Sequence, residues 1–486
     1  MMYIGVDLGS TNLKAALYDE QLACIAQQST PVEYIRQGEF VEFDAEKYFD
    51  SLVGVLHTLM AGHPGQVAQI AFTGQAESLV CLDAAGIPVC NAISWMDERS
   101  NEECAILEKQ FSRSVCHRIT GQQAVLPTWP ATKILWLRRN RPEIFQKTAT
   151  YMLLKDYIIY CLTGVLSADM SIATFSFYFD IYNKCYWQDM LAAIGITEAQ
   201  LPPLTEPCTV IGCMTPEAAA ATGLSVETKV NTGTLDHFAG MIGTGNTAPG
   251  GMSLSTGTTM VLATMTDGKP DPSCDLALHY GFLPDTYVAL PVMESGGVCL
   301  DWFRSTCMGN MDYDTLNKEL LAAPGSKILF LPYLVGTNAP EFDREASGVF
   351  YGLRQEHTAI QMAKAVMEGV CFVLRKNCED IQSKGTKISS IIATGGGAKS
   401  PVWCQLQADI TGLPVEIPAV TEAGCLGAAM IAAWRAGQYE TLAAAAKDVK
   451  MVRRYTPNPS KELEDKYRKF CRLYEAVLNI ERQGLD

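Results

Sequence analysis

The sequence predicts an α/β protein of two large domains, each opened by the same kind of hairpin. Three observations carry this. At 486 residues the chain is too long for one ordinary core. Residues 3–7 and 13–18 are apolar runs separated by the small polar turn GSTN, and LSTGTTMVL at 254–262 repeats strand, small-polar turn and strand in the second half. From residue 388 the chain alternates strand (388–394), helix (401–411), strand (415–418) and a small-residue helix (422–436).

Composition narrows the function classes. Apolar residues make up 48%, enough for well-filled cores, and the formal net charge is -15 with pI near 5.0. Nucleic acid and anionic membrane are therefore unexpected partners, since both require clustered Lys and Arg. Seventeen cysteines are scattered with no C-x-x-C and no Cys/His cluster at metal-ligand spacing, a pattern that suits a reducing cytosol. The chain opens MMYIGVDLG, directly into a strand, and no apolar run approaches a membrane span, so a soluble cytoplasmic protein is expected.

In chain order, the first turn offers Gly9, Ser10, Thr11 and Asn12, whose N–H and hydroxyl groups can wrap a terminal phosphate, with Lys14 adding positive charge. Asp7, closing the first strand, suits a hydrated magnesium ion. An ordinary hairpin with Asp before its turn is the plain alternative, but the repeat at 254–262 favours a duplicated nucleotide-clamping fold. The stretch 66–89 reads strand, loop, strand, and its loop 73–78 carries Gln75 and Glu77 in an otherwise apolar run. A buried carboxylate needs partners, which substrate hydroxyls or an internal Arg would supply. In ISWMDERS (93–100), Trp95 can lie against a sugar face or belong to the core, and Asp97 or Arg99 can fix hydroxyls or brace the loop.

Helical periodicity covers 101–119 and 133–140, with Pro127, Pro130 and Pro142 as breaks, and a buried helix is expected over 149–164. The aromatic run FSFYFDIYNKCYW (175–187) reads as a packed layer or a homodimer interface. The central stretch 231–259 follows an expected strand at 225–231. It is rich in Gly, Ser and Thr and sets one carboxylate, Asp236, on a loop; phosphate handling and a flexible linker are its two readings. A strand at 325–334 and a long helix at 358–383 come next. The strand at 388–394 then runs into GGGAKSPVW, whose glycines allow close backbone approach to an anionic or flat ligand or simply make a tight strand-to-helix turn. The last thirty residues form a charged helix.

With these residues set out, the chain resembles the FGGY carbohydrate kinase family along nearly its whole length. WPATKILWLRRN (129–140) resembles the first family signature, with Lys133, Trp136 and Asn140 in place and Thr128 as a departure. GVFYGL followed after seven residues by QMAKAVME (348–368) matches the second. DLGSTNLKAALYD and LSTGTTMVL are similar to the two phosphate motifs of the actin-like ATPases, and GGGAKSPVWCQLQADITGLPV with EAGCLGAA to their adenosine-binding end. The resemblance implies two actin-like (ribonuclease H-like) α/β domains, 1–244 and 245–486, with a cleft for ATP and sugar between them and a C-terminal helix that can pack back on the first.

It further implies Asp236 as catalytic base with His237 beside it at the sugar. Asp7 would hold Mg2+, with Gly9 to Asn12 and Lys14 at the γ-phosphate, Gly257 and Thr258 at the β-phosphate, and Gly395, Gly396, Gly397 and Ser400 along the adenosine. Gln75, Ala76, Glu77, Trp95 and Asp97 would face the sugar. Where xylulose kinases generally read GQMHG this chain reads GQAES, and glycerol kinases share the glutamate but carry Arg in place of Ala76. The expected substrate order is D-xylulose or a related pentulose, then a four- or five-carbon polyol, then glycerol. A catalytically silent sugar sensor is the non-enzyme alternative.

Overall fold

The computed structural model describes residues 1–63, 65–343 and 345–482. The elements that position the site, in chain order, begin with β1 (Met2–Leu8), β2 (Asn12–Tyr18), β3 (Cys24–Pro31), α1 (Ala45–Gly62), β4 (Val67–Gly74) and β5 (Leu79–Leu82). Next come α2 (Pro130–Asn140), β6 (Thr150–Leu153), α3 (Leu154–Thr163), β7 (Val210–Cys213), β8 (Lys229–Asn231) and α4 (Asp236–Gly243). The second half supplies β9 (Gly250–Thr256), β10 (Met260–Met265), α5 (Gly297–Cys307), α6 (Ala359–Ser383) and β11 (Ile388–Gly395). It ends with α7 (Pro401–Thr411), β12 (Val415–Pro418), α8 (Ala423–Arg435), β13 (Met451–Tyr455) and α9 (Lys461–Arg482).

Contacts divide the chain into two units: Met1–Thr247 with Gly268–Val288 and Val420–Val449, and Ala248–Asp267 with Ala289–Ala419 and Lys450–Asp486. The expected halves 1–244 and 245–486 differ from this division because two later segments pack with the first unit. For α8 the cause is side-chain size. A Cβ on Gly5 of β1 would stand 1.9 Å from the Cys425 carbonyl oxygen, and one on Gly427 the same distance from that of Ala239 in α4. Backbones this close exclude any larger residue, so the run AGCLGAA seats α8 directly on β1 and α4.

The first unit's sheet has the order β7-β8-β4-β1-β2-β3, antiparallel in the β1–β2–β3 meander and at β7–β8, parallel at β1–β4–β8. In the second unit the order β10-β9-β11-β12-β13 repeats the plan: an antiparallel hairpin, then two successive strands that run parallel to its first strand, and an antiparallel edge. This is the duplication foreseen from the two hairpins. One face of the first sheet is covered by α1, whose Leu52, Leu56 and Leu59 bury with Ile4, Val6, Leu13 and Phe72. Asp44 caps α1 by accepting from the N–H groups of Glu46 and Lys47, and Thr358 with Gln361 forms a capping box at the start of α6.

Four expectations need correction. The helix expected over 149–164 begins as β6, because residues 150–153 pair with β5, and turns helical only at Leu154. The helix expected over 101–119 is two, Asn101–Gln110 and Arg113–Thr120, interrupted by the extended backbone at Phe111. Residues 231–259 form neither a loop nor a linker; Phe238, Ala239, Met241 and Ile242 are buried, so the segment after Asp236 folds as α4 and β9 follows. The C-terminal helix stays with the second unit. Tyr467 and Phe470 of α9 pack on Phe372 of α6, Glu464 pairs with Arg375 at 2.7 Å, and Lys466 pairs with the buried Glu368. Residues 483–486 of that expected helix lie outside the described residues.

Of the run 175–187, Phe175, Phe177, Tyr178, Phe179, Tyr186 and Trp187 are buried, which makes it core rather than free surface. Among the described residues no helix is long and apolar enough to cross a membrane, and no three His, Cys, Asp or Glu side chains converge as a metal cluster.

Candidate active site

Antiparallel register sets Asp7 opposite Lys14, and the parallel neighbour places Thr73 on its other side. The turn between β1 and β2 is tied down by Tyr48 of α1, whose hydroxyl donates to Gly9 O at 3.1 Å. Thr11 is exposed there, and Ser10 and Asn12 are half-buried. Burial pushes the Asp7 carboxyl up to about 7, with Asp236 and Glu422 adding repulsion and Lys14 opposing it. Lys14 is also committed to Glu422 at 2.7 Å, so the hairpin is short of positive charge. The buried Thr73 hydroxyl has no partner. This donor set fits a divalent cation of the magnesium type, held by one or two carboxylates, waters and phosphate oxygens rather than by a protein cage.

Asp236 is the first residue of α4, where free N–H groups favour a carboxylate; its Oδ1 accepts from His237 N at 2.6 Å. The segment leading to it is locked. Gly233 has φ 61, and a Cβ there would lie 1.7 Å from Phe72 O. Thr234 N donates to the same Phe72 oxygen at 3.1 Å. Beneath runs a buried network: Lys155 Nζ donates to Asp169 Oδ2 at 2.7 Å and to Thr232 O at 2.5 Å, Ser171 Oγ donates to Asp169, and Thr234 Oγ1 and Leu235 N donate to Ser171 Oγ at 3.0 and 3.3 Å. Lys155, Asp169 and Ser171 went unread in the sequence; the signal available was a Lys and an Asp inside apolar runs.

In the loop after β4, Gln75 is buried, with its Oε1 accepting from Ser78 Oγ at 2.8 Å. Ala76 and Glu77 are half-buried, and Glu77 holds the left-handed φ of 67, a strained state for a non-glycine residue that is commonest at functional sites. Burial raises the Glu77 carboxyl, offset by the Lys133 ammonium and the Thr128 hydroxyl and reinforced by Asp236. The internal cation is thus a lysine, not the arginine envisaged. Lys133 is itself fully buried, donating to Ser94 O at 2.7 Å, and burial lowers it while Glu77 and Asp97 hold it up.

Trp95 is 38% exposed and therefore not core. Asp97 is fully buried, accepting from Val41 N at 2.6 Å and from Arg99 Nε and a terminal guanidinium nitrogen at 2.7 Å each. It braces the loop, and its oxygens are not available to a sugar. His237 is half-buried, and nearby His279 is a buried neutral imidazole, brought down to about 3 by burial and then by His237. It stacks on Phe175 at 4.2 Å with Gln122 Nε2 3.2 Å from its Nδ1. No sequence pattern singled out Gln122 or His279.

In the second unit, Gly257 and Thr258 form the exposed turn between β9 and β10. Their carbonyls accept from Gly297 N at 2.7 Å and Val298 N at 3.1 Å at the start of α5. The glycine run lies against the same hairpin. A Cβ on Gly395, at φ 78, or on Gly397 would come within 2.7 Å of Thr256, whereas Gly396 has room. Two of the three glycines are therefore required by packing, and the turn they make is held beside Gly257 and the unpartnered Thr256 hydroxyl. Ser400 caps α7 by accepting from Trp403 N and donates to Asn317 Oδ1 at 2.5 Å, so its hydroxyl is already engaged.

Known proteins are similar to this chain along its whole length. Xylulose kinase of Escherichia coli K12 is 30% identical over 99% of this chain and 100% of its own length, and that of Lactococcus lactis IL1403 is 31% identical over 100% and 99%. A crystal structure of a xylulose kinase from Brucella ovis superposes with TM-score 0.93 at 28% identity, covering 99% of this chain and 100% of its own. The N-terminal domain of the FGGY family of carbohydrate kinases matches residues 2–243 and the C-terminal domain residues 252–436. The chain belongs to the FGGY family of carbohydrate kinases.

Proposed function

We propose that this sugar kinase transfers the γ-phosphoryl group of ATP to a primary hydroxyl of a pentulose, with D-xylulose as the first candidate. The observation that carries the substrate is the end-to-end similarity to relatives named xylulose kinase at 30 and 31% identity. The chemistry rests on Asp236. A primary alcohol is a very weak acid, so Asp236 takes its proton late, as the sugar oxygen bonds to phosphorus and the bond to the leaving ADP oxygen breaks. The network from Lys155 to Ser171 holds that carboxylate in position. Asp7 would hold a magnesium ion, which when bound would supply charge neutralisation at the phosphates. The N–H and hydroxyl groups of Gly9 to Asn12 line the γ-phosphate with Lys14 behind them, Gly257 and Thr258 line the β-phosphate, and the turn at Gly395 to Gly397 runs along the adenosine, with Ser400 supporting it as a cap. Gln75, Glu77, Trp95 and His237 face the sugar, with Ala76 leaving space. A cytoplasm that supplies ATP and keeps the cysteines reduced is the compartment this reading requires.

Glu77 favours one second reading, a polyol kinase, because its carboxylate can accept from two adjacent hydroxyls. Magnesium-dependent ADP release across a panel of pentuloses, tetritols, pentitols and glycerol tests both. The highest kcat/KM is expected with D-xylulose. A polyol turned over well while every pentulose stays silent would overturn the substrate assignment.

A further inference from the structure

The phosphate turn after β1 and the sugar loop after β4, both in the first unit, are joined by a run of hydrogen bonds. Tyr48 of α1 is buried, its ring 5.5 Å from that of Phe43, and its hydroxyl donates to Gly9 O at 3.1 Å. Gln75 Nε2 donates to the same oxygen at 3.5 Å, the longest step, while Gln75 Oε1 accepts from Ser78 Oγ at 2.8 Å and Ser78 Oγ accepts from Trp95 N at 3.1 Å. The sense of each bond is fixed. A carbonyl oxygen can only accept, so the Gln75 amide turns its nitrogen to Gly9; the Ser78 hydroxyl takes the Trp95 N–H and has its own proton left for Oε1. Gln75 and Ser78 are buried, where water competes little for such bonds. Gln75 N also donates to Leu8 O at 3.1 Å, so backbone and side chain both tie the loop to the end of β1. The consequence falls on the next peptide. In a trans peptide the C=O and N–H point opposite ways, so the bonds on Gly9 O aim Ser10 N–H away from Tyr48 and Gln75. Among the described residues no protein group accepts from Ser10 N. Thr11 O is held in the same manner by Val32 N at 3.0 Å. A Cβ on Gly9 would stand 2.6 Å from Asn12 O, so this turn has no room for a larger residue.

We propose that Ser78 is a positioning residue that couples sugar binding to nucleotide binding, through the Gln75 amide and the Gly9 carbonyl, with Tyr48 as the fixed anchor of that carbonyl. The inference rests on the functional reading above, in which Trp95 and Gln75 meet the sugar and the turn at Gly9 to Asn12 meets the γ-phosphate. A sugar seated on Trp95 steadies the backbone N–H that Ser78 accepts. Ser78 then steadies the amide, and the amide adds a second donor to the carbonyl that Tyr48 already holds. The Gly9–Ser10 peptide is left with its N–H set for a phosphate oxygen. Bound sugar therefore tightens nucleotide binding, and by reciprocity bound nucleotide tightens the sugar. Ser78 touches neither ligand in this scheme; it acts through groups that do.

The test is calorimetric titration of the full-length protein with a nonhydrolysable ATP analogue and magnesium, with and without saturating D-xylulose, or the better substrate if the panel above finds one. Sugar should tighten the analogue on wild type by about 5- to 150-fold, the usual span of coupling between two sites. Ser78→Ala should bind the analogue as wild type does without sugar, and should gain less than about twofold with it, the coupling being lost. Tyr48→Phe keeps the ring and loses only the hydroxyl. It should weaken the analogue by about 3- to 10-fold in both conditions, the worth of one hydrogen bond, and leave the Kd of the sugar alone unchanged. Full retention of the sugar-induced gain in Ser78→Ala would overturn the proposal, as would an equal loss of analogue affinity with and without sugar, the mark of a merely structural role. Absence of any gain in wild type, or an unchanged analogue Kd in Tyr48→Phe, would overturn it as well. Should Ser78→Ala not fold, Ser78→Cys, which fills the same space with a poor hydrogen-bonding group, decides in its place. Failure of the functional reading shows separately, as wild type that turns over no sugar or polyol of the panel.

Discussion

Asp7→Asn should stabilise the ligand-free protein at alkaline pH. In the native chain burial and the neighbouring carboxylates raise Asp7 from an ordinary 3.8 to about 7. The native state therefore holds this proton more tightly than the unfolded state does. Stability from it is full below about pH 4, falls as pH rises toward about 7, and is gone above that. Converted at about 1.4 kcal/mol per pH unit, the gap sets a ceiling of about 4 kcal/mol on the strain of ionising Asp7. Water reaching the half-buried carboxylate lowers the expected effect to about 1–2 kcal/mol. The amide has the same shape and no such penalty. Its Tm should exceed wild type by several degrees at about pH 8 and by little at about pH 5, while phosphoryl transfer is lost. Paired thermal melts at the two pH values cancel the titration of every other group. A difference that does not grow with pH, or a variant melting below wild type at the higher pH, refutes the reasoning.

Asp236→Asn should lower kcat by about 10²- to 10⁴-fold, the usual contribution of a general base, with ATP and sugar still binding by calorimetry; retention of more than half the wild-type kcat would remove Asp236 from that role. Glu77→Gln should cut kcat/KM for the sugar by about one to two orders of magnitude, the worth of a charge-assisted hydrogen bond, and leave the KM for ATP nearly unchanged. Steady-state kinetics with each substrate varied in turn shows whether both move together, which would argue against a sugar contact. Lys155→Met removes one partner of an ion pair whose side chains are both fully buried, and should cost about 3–5 kcal/mol in urea unfolding; a loss under about 1 kcal/mol would refute a stabilising role for the pair.

The parts legible in the sequence are those written in local patterns. A hairpin needs two apolar runs and a small polar turn, so both phosphate-type turns, with Asp7 at the end of one strand, were readable, as were α7 and β12 to the residue. What stayed hidden depends on partners distant in the chain. Residues 150–153 are apolar enough for either state, and pairing with β5 makes them a strand. Nothing local reveals that α8 leaves the second half to pack on β1, because the required signal is the joint smallness of Gly5, Gly243 and Gly427. The sequence likewise shows Asp97 and Glu77 as equivalent polar intrusions. Only in three dimensions does Asp97 meet Arg99 and Val41 N while Glu77 meets Lys133 and Thr128.

That difference gives the departure at position 77 a physical basis. An ammonium with no exposed surface and carbonyl oxygens as its close acceptors is costly to keep charged, and Lys133 donates to Ser94 O at 2.7 Å and only distantly, at 3.4 Å, to Glu77 O. The Glu77 carboxylate supplies the missing negative charge, and Lys133 in turn lets that carboxylate sit half-buried near Asp236. Each ion makes the other tolerable. A histidine in that position, as in the loop of xylulose kinases, would give Lys133 no full counter-charge, so the glutamate couples the loop after β4 to the first signature on α2. The strained φ at Glu77 then fits as the cost of turning its side chain toward Lys133 instead of out to solvent. The carboxylate proposed to meet the sugar is thus paired with the buried Lys133, and exchanging Glu77 alone disturbs that pairing as well.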